Sequence, residues 1–200
     1  MMGLPPHAPG MRIGLFGGSF NPAHEGHRLV ALQCLKRLAL DAIWVLVSPG
    51  NPLKDQNELA PLASRLAHSR LAMSHPAVEI TGFEAACGFK YSYETISYLT
   101  RAVPEARFVW IMGADNLEHF DRWERWRDIA DILPIAVYAR PGSALKAPLS
   151  KAAQALADFR LPEEAAETLA GRAPPAWVYL RGIMSELSST AIRQGRQTSK

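Results

Sequence analysis

Short apolar runs alternate with amphipathic helical patterns along most of this chain. The predicted strands cover residues 12–16, 42–47, 78–80, 107–112, 135–139 and 177–180, and the predicted helices cover 24–40, 62–74, 93–102 and 117–130. Strands that alternate with helices predict a mostly parallel sheet, because right-handed crossovers place helices on both of its faces. We therefore expect a single-domain, doubly wound α/β fold whose ligands bind at the carboxyl ends of the strands.

Composition and length agree with one globular domain. The chain has 200 residues, of which 48% are hydrophobic and 20% are charged, values typical of a folded protein with a sizeable core. Residues 1–10 are rich in proline and lack the pattern of a signal peptide, so we predict a flexible N-terminal tail before a domain over 11–195. Residues 143–175 break the alternation and are interpreted as an excursion on the surface.

Charge and cysteine content favour a cytoplasmic protein without membrane or nucleic-acid partners. The longest apolar run, 42–47, is too short to span a bilayer. The net charge is only +3 despite a pI near 9.0, and basic residues form no stripe. Cys34 and Cys87 show no metal-ligand spacing, and Cys34 lies in an apolar helical pattern that predicts a buried, inert thiol.

A polar segment with two glycines and two histidines follows the first predicted strand. Residues 17–27 read GGSFNPAHEGH. Glycines let a backbone turn sharply beside a ligand, and a helix start offers free N–H groups to phosphate. His24 and His27 are three residues apart, so on a helix they share a face and can donate hydrogen bonds to developing negative charge. Taken singly, a glycine pair is a common turn, and a histidine at a helix start is more often a cap or a surface residue.

A second polar segment lies near the other end of the chain. Residues 187–193 read LSSTAIR. Hydroxyls at a helix start cap its free N–H groups, and that role alone would explain an isolated serine pair. Arg193, however, lies one helical turn after Thr190 and on the same helix face. Hydroxyls, free amides and a guanidinium together can bind a polyphosphate group.

These two segments resemble the motifs of the HxGH nucleotidyltransferases. Residues 17–27 match the pattern GGxFxPxHxGH throughout, and residues 187–193 resemble ISSTxIR, with Leu187 in place of Ile. The resemblance implies a Rossmann-like nucleotidyltransferase fold that binds ATP. The chemistry of such a transfer predicts Mg²⁺ bridging the phosphates, held largely by substrate and water because the sequence shows no dedicated metal site. The implied ATP-binding residues are Gly17, Gly18, Ser19, Phe20, His24, His27, Lys54, Ser188, Ser189, Thr190 and Arg193.

The middle of the chain resembles the bacterial nicotinate-mononucleotide adenylyltransferases in four places. Residues 48–55 resemble their PxNPxK loop, 91–96 their YTxDTL segment, 110–117 their (I/W)xGxDxL segment and 139–142 their RPG turn. Ser92 replaces Thr and Glu94 replaces Asp. The resemblance implies catalytic roles for His24, His27, Lys54 and Arg193, and acceptor binding by Asn51, Tyr91, Ser92, Asp115, Trp123 and Arg140.

Plainer interpretations of several of these residues stay open. Lys54 and Arg140 alone would be read as solvated surface charges. Trp123 matches the family's ring-stacking position, but the spacing of Trp123 and Trp126 by itself indicates the core face of a helix. A zinc site at His24 and His27 is disfavoured because the HExxH pattern and nearby cysteines are absent.

The resemblance implies transfer of the adenylyl group of ATP to nicotinate mononucleotide. Pantetheine phosphate and nicotinamide mononucleotide are alternative acceptors, and a non-catalytic ATP-binding regulator and a nucleic-acid-binding module are alternative functions. The sequence leaves open the acid-versus-amide preference, the kinetic order, the role of 143–175 and the oligomeric state, for which a homo-oligomer is one alternative.

Overall fold

The computed structural model describes residues 3–50, 59–139 and 145–182. Seven strands in these ranges form one sheet: Arg12–Gly18 (β1), Ala42–Val47 (β2), Val78–Thr81 (β3), Arg107–Gly113 (β4), Ile135–Tyr138 (β5), Arg160–Leu161 (β6) and Trp177–Leu180 (β7). The α-helices there are Glu25–Arg37 (α1), Leu62–Ala72 (α2), Phe83–Cys87 (α3), Ser92–Ala102 (α4), Ala114–Leu117 (α5), Trp126–Ile132 (α6) and Lys151–Ala155 (α7). Short 3₁₀ helices cover Phe120–Arg122, Ala147–Leu149, Ala157–Phe159 and Glu163–Gly171.

The sheet is parallel and extends to both sides of the central strands β1 and β4. Its strand order is β3-β2-β1-β4-β5-β7-β6, and each neighbouring pair in it is parallel. The chain moves from β1 through β2 to β3, then crosses back to β4 on the other side of β1. This arrangement confirms the predicted doubly wound α/β fold and places its topological switch point between β1 and β4.

The strands are apolar throughout because both faces of the sheet are covered. Successive side chains on a strand point to opposite faces. Trp44 and Leu46 of β2 therefore belong to one hydrophobic core, whereas Ile43 and Val45 belong to the other. The first core also contains side chains of α3, α4, α5, α6 and α7, and the second contains those of α1 and the 3₁₀ helix Glu163–Gly171.

Helix α1 contributes Val30, Ala31 and Cys34 to the second core. It ends earlier than predicted, with Leu38 as its C-cap and Ala39 at a φ of +49°. The Cys34 side chain is fully buried, and burial raises the pKa of its thiol to about 12. This confirms the buried thiol, since so high a pKa suppresses the reactive thiolate.

The segment before β1 contacts the fold at several points, and Leu4 and Met11 pack against the first core. The His7 ring lies edge-on to Trp44 with ring centroids 5.9 Å apart, and the Gly10 N–H donates to the carbonyl of Glu105 at 2.9 Å. The flexibility expected of residues 1–10 stays a prediction.

The continuous helix predicted over 117–130 is wrong. The chain forms α5, a 3₁₀ turn and α6 in succession, and it breaks at Arg125, whose φ is +53°. The Arg125 guanidinium lies 3.9 Å from the centre of the Tyr93 ring and donates to Asp128 at 2.5 Å. Contacts of this kind with a neighbouring helix override the helical pattern of the local sequence.

The surface excursion predicted for 143–175 is also wrong over its described part. Ala147, Ala152 and Ala153 are buried in the first core, and strand β6 extends the sheet beyond β7. Small alanine side chains allow this segment to pack closely without a strong apolar pattern in the sequence. The Glu163 carboxylate also accepts from Nη2 of Arg37 at 2.7 Å and from the N–H of Arg181 at 2.6 Å. These bonds connect the 3₁₀ helix Glu163–Gly171 to α1 and to the residue that follows β7.

A buried carboxyl group joins α3 to α4. Glu84 is 7% exposed, and the hydroxyl of Thr95 donates to its Oε1 at 2.9 Å. Burial raises the pKa of Glu84 to about 7, and the hydrogen bond from Thr95 partly opposes that rise.

We expect the stability of the protein to depend on pH through Glu84. Its pKa is about 7 in the fold against an ordinary 4.5, so the folded chain holds a proton that the unfolded chain releases between these values. The stabilising contribution is therefore complete below the unfolded pKa and is lost as the pH rises through the folded pKa. The Glu84→Gln variant has no ionisable group at this position. Between about pH 4.5 and about pH 8, the free energy of unfolding of the wild type should therefore fall by about 3 kcal/mol more than that of the variant. Urea unfolding of both proteins across this range measures the difference, and parallel pH profiles would contradict it.

Strand β1 packs so closely on the Trp110 ring that Gly17 has no room for a side chain. A Cβ at Gly17 would lie 2.7 Å from Cη2 and 3.0 Å from Cζ2 of Trp110, which is itself 1% exposed. Neither the strand nor the buried ring can move without disturbing the core.

Gly17→Ala should therefore lower the free energy of unfolding by about 1–3 kcal/mol through overpacking. Gly3→Ala is the matched control, because a Cβ there meets nothing within 4 Å. Urea denaturation of the two variants and the wild type tests the difference. Equal stability of the two variants would contradict the prediction, because it would show that the Trp110 ring shifts to accommodate the added methyl group.

Candidate active site

The predicted site segments in the described residues leave the sheet at one edge. β1, β2 and β4 are neighbouring parallel strands, with Phe16 opposite Ile111 and Gly18 opposite Val47. Residues 19–27, 48–50 and 114–117 follow the carboxyl ends of these strands, where ligands of doubly wound sheets bind.

Several predicted site residues lie outside the described residues. They are Asn51, Lys54, Arg140, Ser188, Ser189, Thr190 and Arg193. The expected convergence of the two histidines with Thr190 and Arg193 therefore stays a prediction.

The sharp turn after β1 is made by Phe20 rather than by the two glycines. Gly17 and Gly18 are the last residues of β1, whereas Phe20 has a φ of +46°. This left-handed conformation costs a non-glycine residue roughly 1–2 kcal/mol. The Phe20 ring offsets that cost by burial: it is 2% exposed and lies edge-on to Phe16, with ring centroids 5.4 Å apart.

His24 and His27 form the N-terminal cap of α1. Nδ1 of His24 accepts from the N–H of Gly26 at 3.1 Å, and Nδ1 of His27 accepts from the N–H of His24 at 3.3 Å. A neutral imidazole that accepts at Nδ1 carries its proton on Nε2. Both rings are thereby set as Nε2–H donors, the form in which an imidazole can donate to a phosphate oxygen.

The two imidazole rings lie side by side, with centroids 3.9 Å apart. The Phe20 ring lies edge-on to His27 at 5.0 Å, so the turn residue also orients the second histidine. His24 is 6% exposed and His27 is half-buried, which makes His27 the more accessible ring. The structure thus brings the predicted pair together on one helical turn.

Tyr91 and Ser92 lie at the beginning of α4, where Tyr91 is exposed and Ser92 is half-buried. The Glu94 carboxylate accepts from the N–H groups of Tyr91 at 2.9 Å and Lys90 at 2.8 Å. Both hydrogen bonds stabilise the ionised carboxylate and lower the pKa of Glu94, and the bond from Tyr91 contributes most. Glu94 therefore works as a reciprocal cap that fixes the start of α4.

Trp123 packs against the first core without being fully buried. It is half-buried and lies edge-on to Trp110 at 6.3 Å and to Phe120 at 5.4 Å. Trp110 thus contacts both the Gly17 strand end and Trp123. Asp115, also half-buried, stands in the first turn of α5 directly after β4.

Sequence reasoning missed two buried polar residues beside this edge. Arg65 is 2% exposed and binds backbone carbonyls of Ser19 and Ser48, while Oδ1 of Asn21 accepts from the N–H of Ala60 at 3.2 Å. A signal for Arg65 was present, since it stands between Leu62 and Ser69 on the inward face of the α2 pattern.

In residues 3–50, 59–139 and 145–182, no group of three or more His, Cys, Asp or Glu side chains could hold a metal ion. Nor does any helix within those ranges have the length and apolar character needed to cross a bilayer.

Comparisons with known proteins agree with this geometry. Residues 15–195 match the cytidylyltransferase-like family. A Methylorubrum extorquens protein, named as a probable nicotinate-nucleotide adenylyltransferase, is 53% identical over 92% of this chain and 99% of its own length. A Brucella abortus protein of the same name is 51% identical over 92% of this chain and 95% of its own.

Among solved structures, the Plasmodium falciparum nicotinic acid mononucleotide adenylyltransferase complexed with NaAD has the same fold. It superposes with a TM-score of 0.68 at 14% identity, covering 92% of this chain and 83% of that one. With a family match over almost all of its length and relatives that share half of its residues, this chain belongs to the cytidylyltransferase-like nucleotidyltransferases and, among them, to the nicotinate-nucleotide adenylyltransferases.

Proposed function

We propose that this enzyme transfers the adenylyl group of ATP to nicotinate mononucleotide, forming nicotinate adenine dinucleotide and pyrophosphate in NAD biosynthesis. The observation that carries the proposal is the pair of imidazoles, His24 and His27, set as Nε2–H donors where α1 begins at the switch point of the sheet. The names of the relatives at 53% and 51% identity support the choice of acceptor.

The reaction is an in-line displacement at the α-phosphorus of ATP. An oxygen of the 5′-phosphate of nicotinate mononucleotide forms a bond to this phosphorus, and the bond to the oxygen bridging the β-phosphate breaks. The acceptor is already anionic, so no strong base is required, and pyrophosphate leaves without a covalent enzyme intermediate. Catalysis then consists of positioning and of stabilising the charge that grows on the phosphates.

His24 and His27 supply that stabilisation from the start of α1. Their Nε2–H groups donate to the α-phosphate, where the partial positive charge of the helix N-terminus also favours anions. The backbone of Gly17–Phe20 cradles phosphate in this scheme. Lys54, Arg193 and the hydroxyls of Ser188, Ser189 and Thr190 bind the β- and γ-phosphates, roles that rest on the sequence motifs.

The acceptor lies on the β4 side of the switch point. Tyr91 and Ser92 meet the pyridine carboxylate, Trp123 stacks on the ring with its accessible face, and Asp115 binds a ribose or another polar edge. Asn51 and Arg140 complete this proposed set. Mg²⁺ would enter with ATP and neutralise part of the charge of its phosphates, and the proposal assigns it no protein ligand. A cytoplasmic location, the absence of nucleic-acid partners and a homo-oligomeric assembly stay predictions.

A pyrophosphate-release assay with ATP and Mg²⁺ tests the function directly. Nicotinate mononucleotide, nicotinamide mononucleotide and phosphopantetheine are compared as acceptors at equal concentration. We expect release to be fastest with nicotinate mononucleotide and to yield the dinucleotide in equal amount. Nucleotide binding without release would indicate a regulator, and preference for another acceptor would overturn the assignment.

Substitutions at His24 should separate catalysis from helix capping. His24→Asn removes the imidazole but keeps a strong cap acceptor, whereas His24→Ala removes both. We expect kcat to fall by about 10²–10³ in each variant, because each loses a donor to the developing charge. Only His24→Ala should also lose about 1 kcal/mol of stability.

Steady-state kinetics and urea unfolding measure the two effects independently. Glu25→Gln is the matched control, since Glu25 is an exposed neighbour in the same helical turn. A His24→Asn enzyme with the kcat of the wild type would show that His24 has no part in catalysis.

A further inference from the structure

Arg65 is a buried cation whose hydrogen-bond partners within the described residues are backbone carbonyls. Its Nε donates to the carbonyl of Ala60 at 2.8 Å, and Nη1 donates to the carbonyls of Ser19 at 2.8 Å and Ser48 at 2.7 Å. Nη2 donates to the carbonyl of Pro49 at 3.2 Å. Burial lowers the pKa of Arg65, which shows that the cation is held at a cost in solvation.

The four acceptors belong to three separate segments of the chain. Ser19 follows β1, Ser48 and Pro49 follow β2, and Ala60 precedes α2. One planar guanidinium with several divergent donors can join three segments in this way, whereas the ammonium of lysine is a compact point charge. Asn21 adds a second link to Ala60, through its Oδ1.

These bonds also fix the direction in which the loop amides point. The C=O and N–H of a trans peptide unit point in opposite directions. Because the carbonyls of Ser19 and Pro49 are directed at Arg65, the N–H groups of Phe20 and Gly50 are directed away from it. Phe20 belongs to the segment that the proposed function assigns to the phosphates of ATP, and Gly50 begins the loop after β2 that carries Lys54, which has the same assignment.

We propose that Arg65 is a positioning residue that holds the loops after β1 and β2 in register for the triphosphate of ATP. The inference rests on the proposed function, because that function assigns these loops to ATP. None of these bonds involves Tyr91, Ser92 or Trp123, and only Asn51 of the proposed acceptor residues belongs to a loop that Arg65 holds. The effect of Arg65 should therefore fall mainly on ATP rather than on the acceptor.

Arg65→Lys is the principal test, because it keeps the charge but cannot reach all four carbonyls. We expect kcat/KM for ATP to fall by about 10–100-fold, since displacement of catalytic groups by about 1 Å has effects of this size. KM for nicotinate mononucleotide should stay within about twofold. Arg65→Met removes the charge as well and should be at least as impaired, with a lower unfolding midpoint.

Arg70→Met is the matched control, because it removes an exposed guanidinium from the same helix. Its kinetics should equal those of the wild type. All rates are measured well below the unfolding midpoint of each variant, which is followed by circular dichroism.

Three results would overturn the inference. They are full kcat/KM for ATP in a folded Arg65→Lys enzyme, an equal loss for ATP and acceptor, and an Arg65→Lys chain that does not fold, which would assign Arg65 to the scaffold alone.

A separate binding measurement distinguishes failure of this inference from failure of the proposed function. If the wild type itself releases no pyrophosphate, the proposed function fails. Calorimetric titration with α,β-methylene-ATP and Mg²⁺ then tests Arg65 without turnover, and Arg65→Lys should weaken binding by about tenfold relative to the wild type and Arg70→Met. Equal affinities in this titration would overturn the role of Arg65.

Discussion

The site depends on the parallel pairing of β1 with β4. The chain continues from β1 to β2 and β3 on one side, and from β4 to β5, β6 and β7 on the other. Connections that follow these two strands therefore diverge, and a crevice opens between them at the carboxyl edge of the sheet. Helix α1 begins on one side of this crevice and α5 on the other. The position of the site is thus a property of strand order, whereas its chemistry belongs to the side chains placed there.

The histidine pair shows how folding and chemistry share the same atoms. Each Nδ1 is occupied by a backbone N–H, so the helix start selects the tautomer and limits rotation of both rings. A donor that is already oriented needs little reorganisation when charge develops on a substrate. The left-handed backbone at Phe20 contributes as well, because it brings the Phe20 ring against His27. Local strain at a binding edge is in this case balanced by aromatic packing.

The architecture could be predicted from the sequence to a large extent. Strands such as β2 and β7 were located at their observed bounds, because buried parallel strands are short, apolar and separated by helical patterns. The prediction failed where tertiary contacts decide local structure. Arg125, whose guanidinium lies over the Tyr93 ring, interrupts an apparently continuous helix. Ala147, Ala152 and Ala153 are buried although the sequence around them has no strong apolar pattern.

The site was predictable only for residues that carry a recognisable motif. His24 and His27 were predicted as neighbours on a helical face, and the structure brings them together. A capping role is common for a histidine at a helix start, but the particular bonds of His24 and His27 could not be predicted, because they depend on ring orientation. Arg65 carries no motif and acts through backbone carbonyls, whose directions are set by the fold rather than by residue type.

The central position of β1 has a consequence for synthesis on the ribosome. β1 is made first, yet Arg12 pairs with Arg107, and the β4 side of the sheet is absent until that region has been translated. At about 5–20 residues per second, β4 is synthesised on the order of 5–20 s after β1. The apolar strand β1 lacks this partner during that interval. The pairing with β2 comes much earlier and covers one edge of β1 in the interval. The same strand order that creates the crevice therefore leaves the other edge of β1 in need of protection, by chaperones or by the ribosome itself, until β4 arrives.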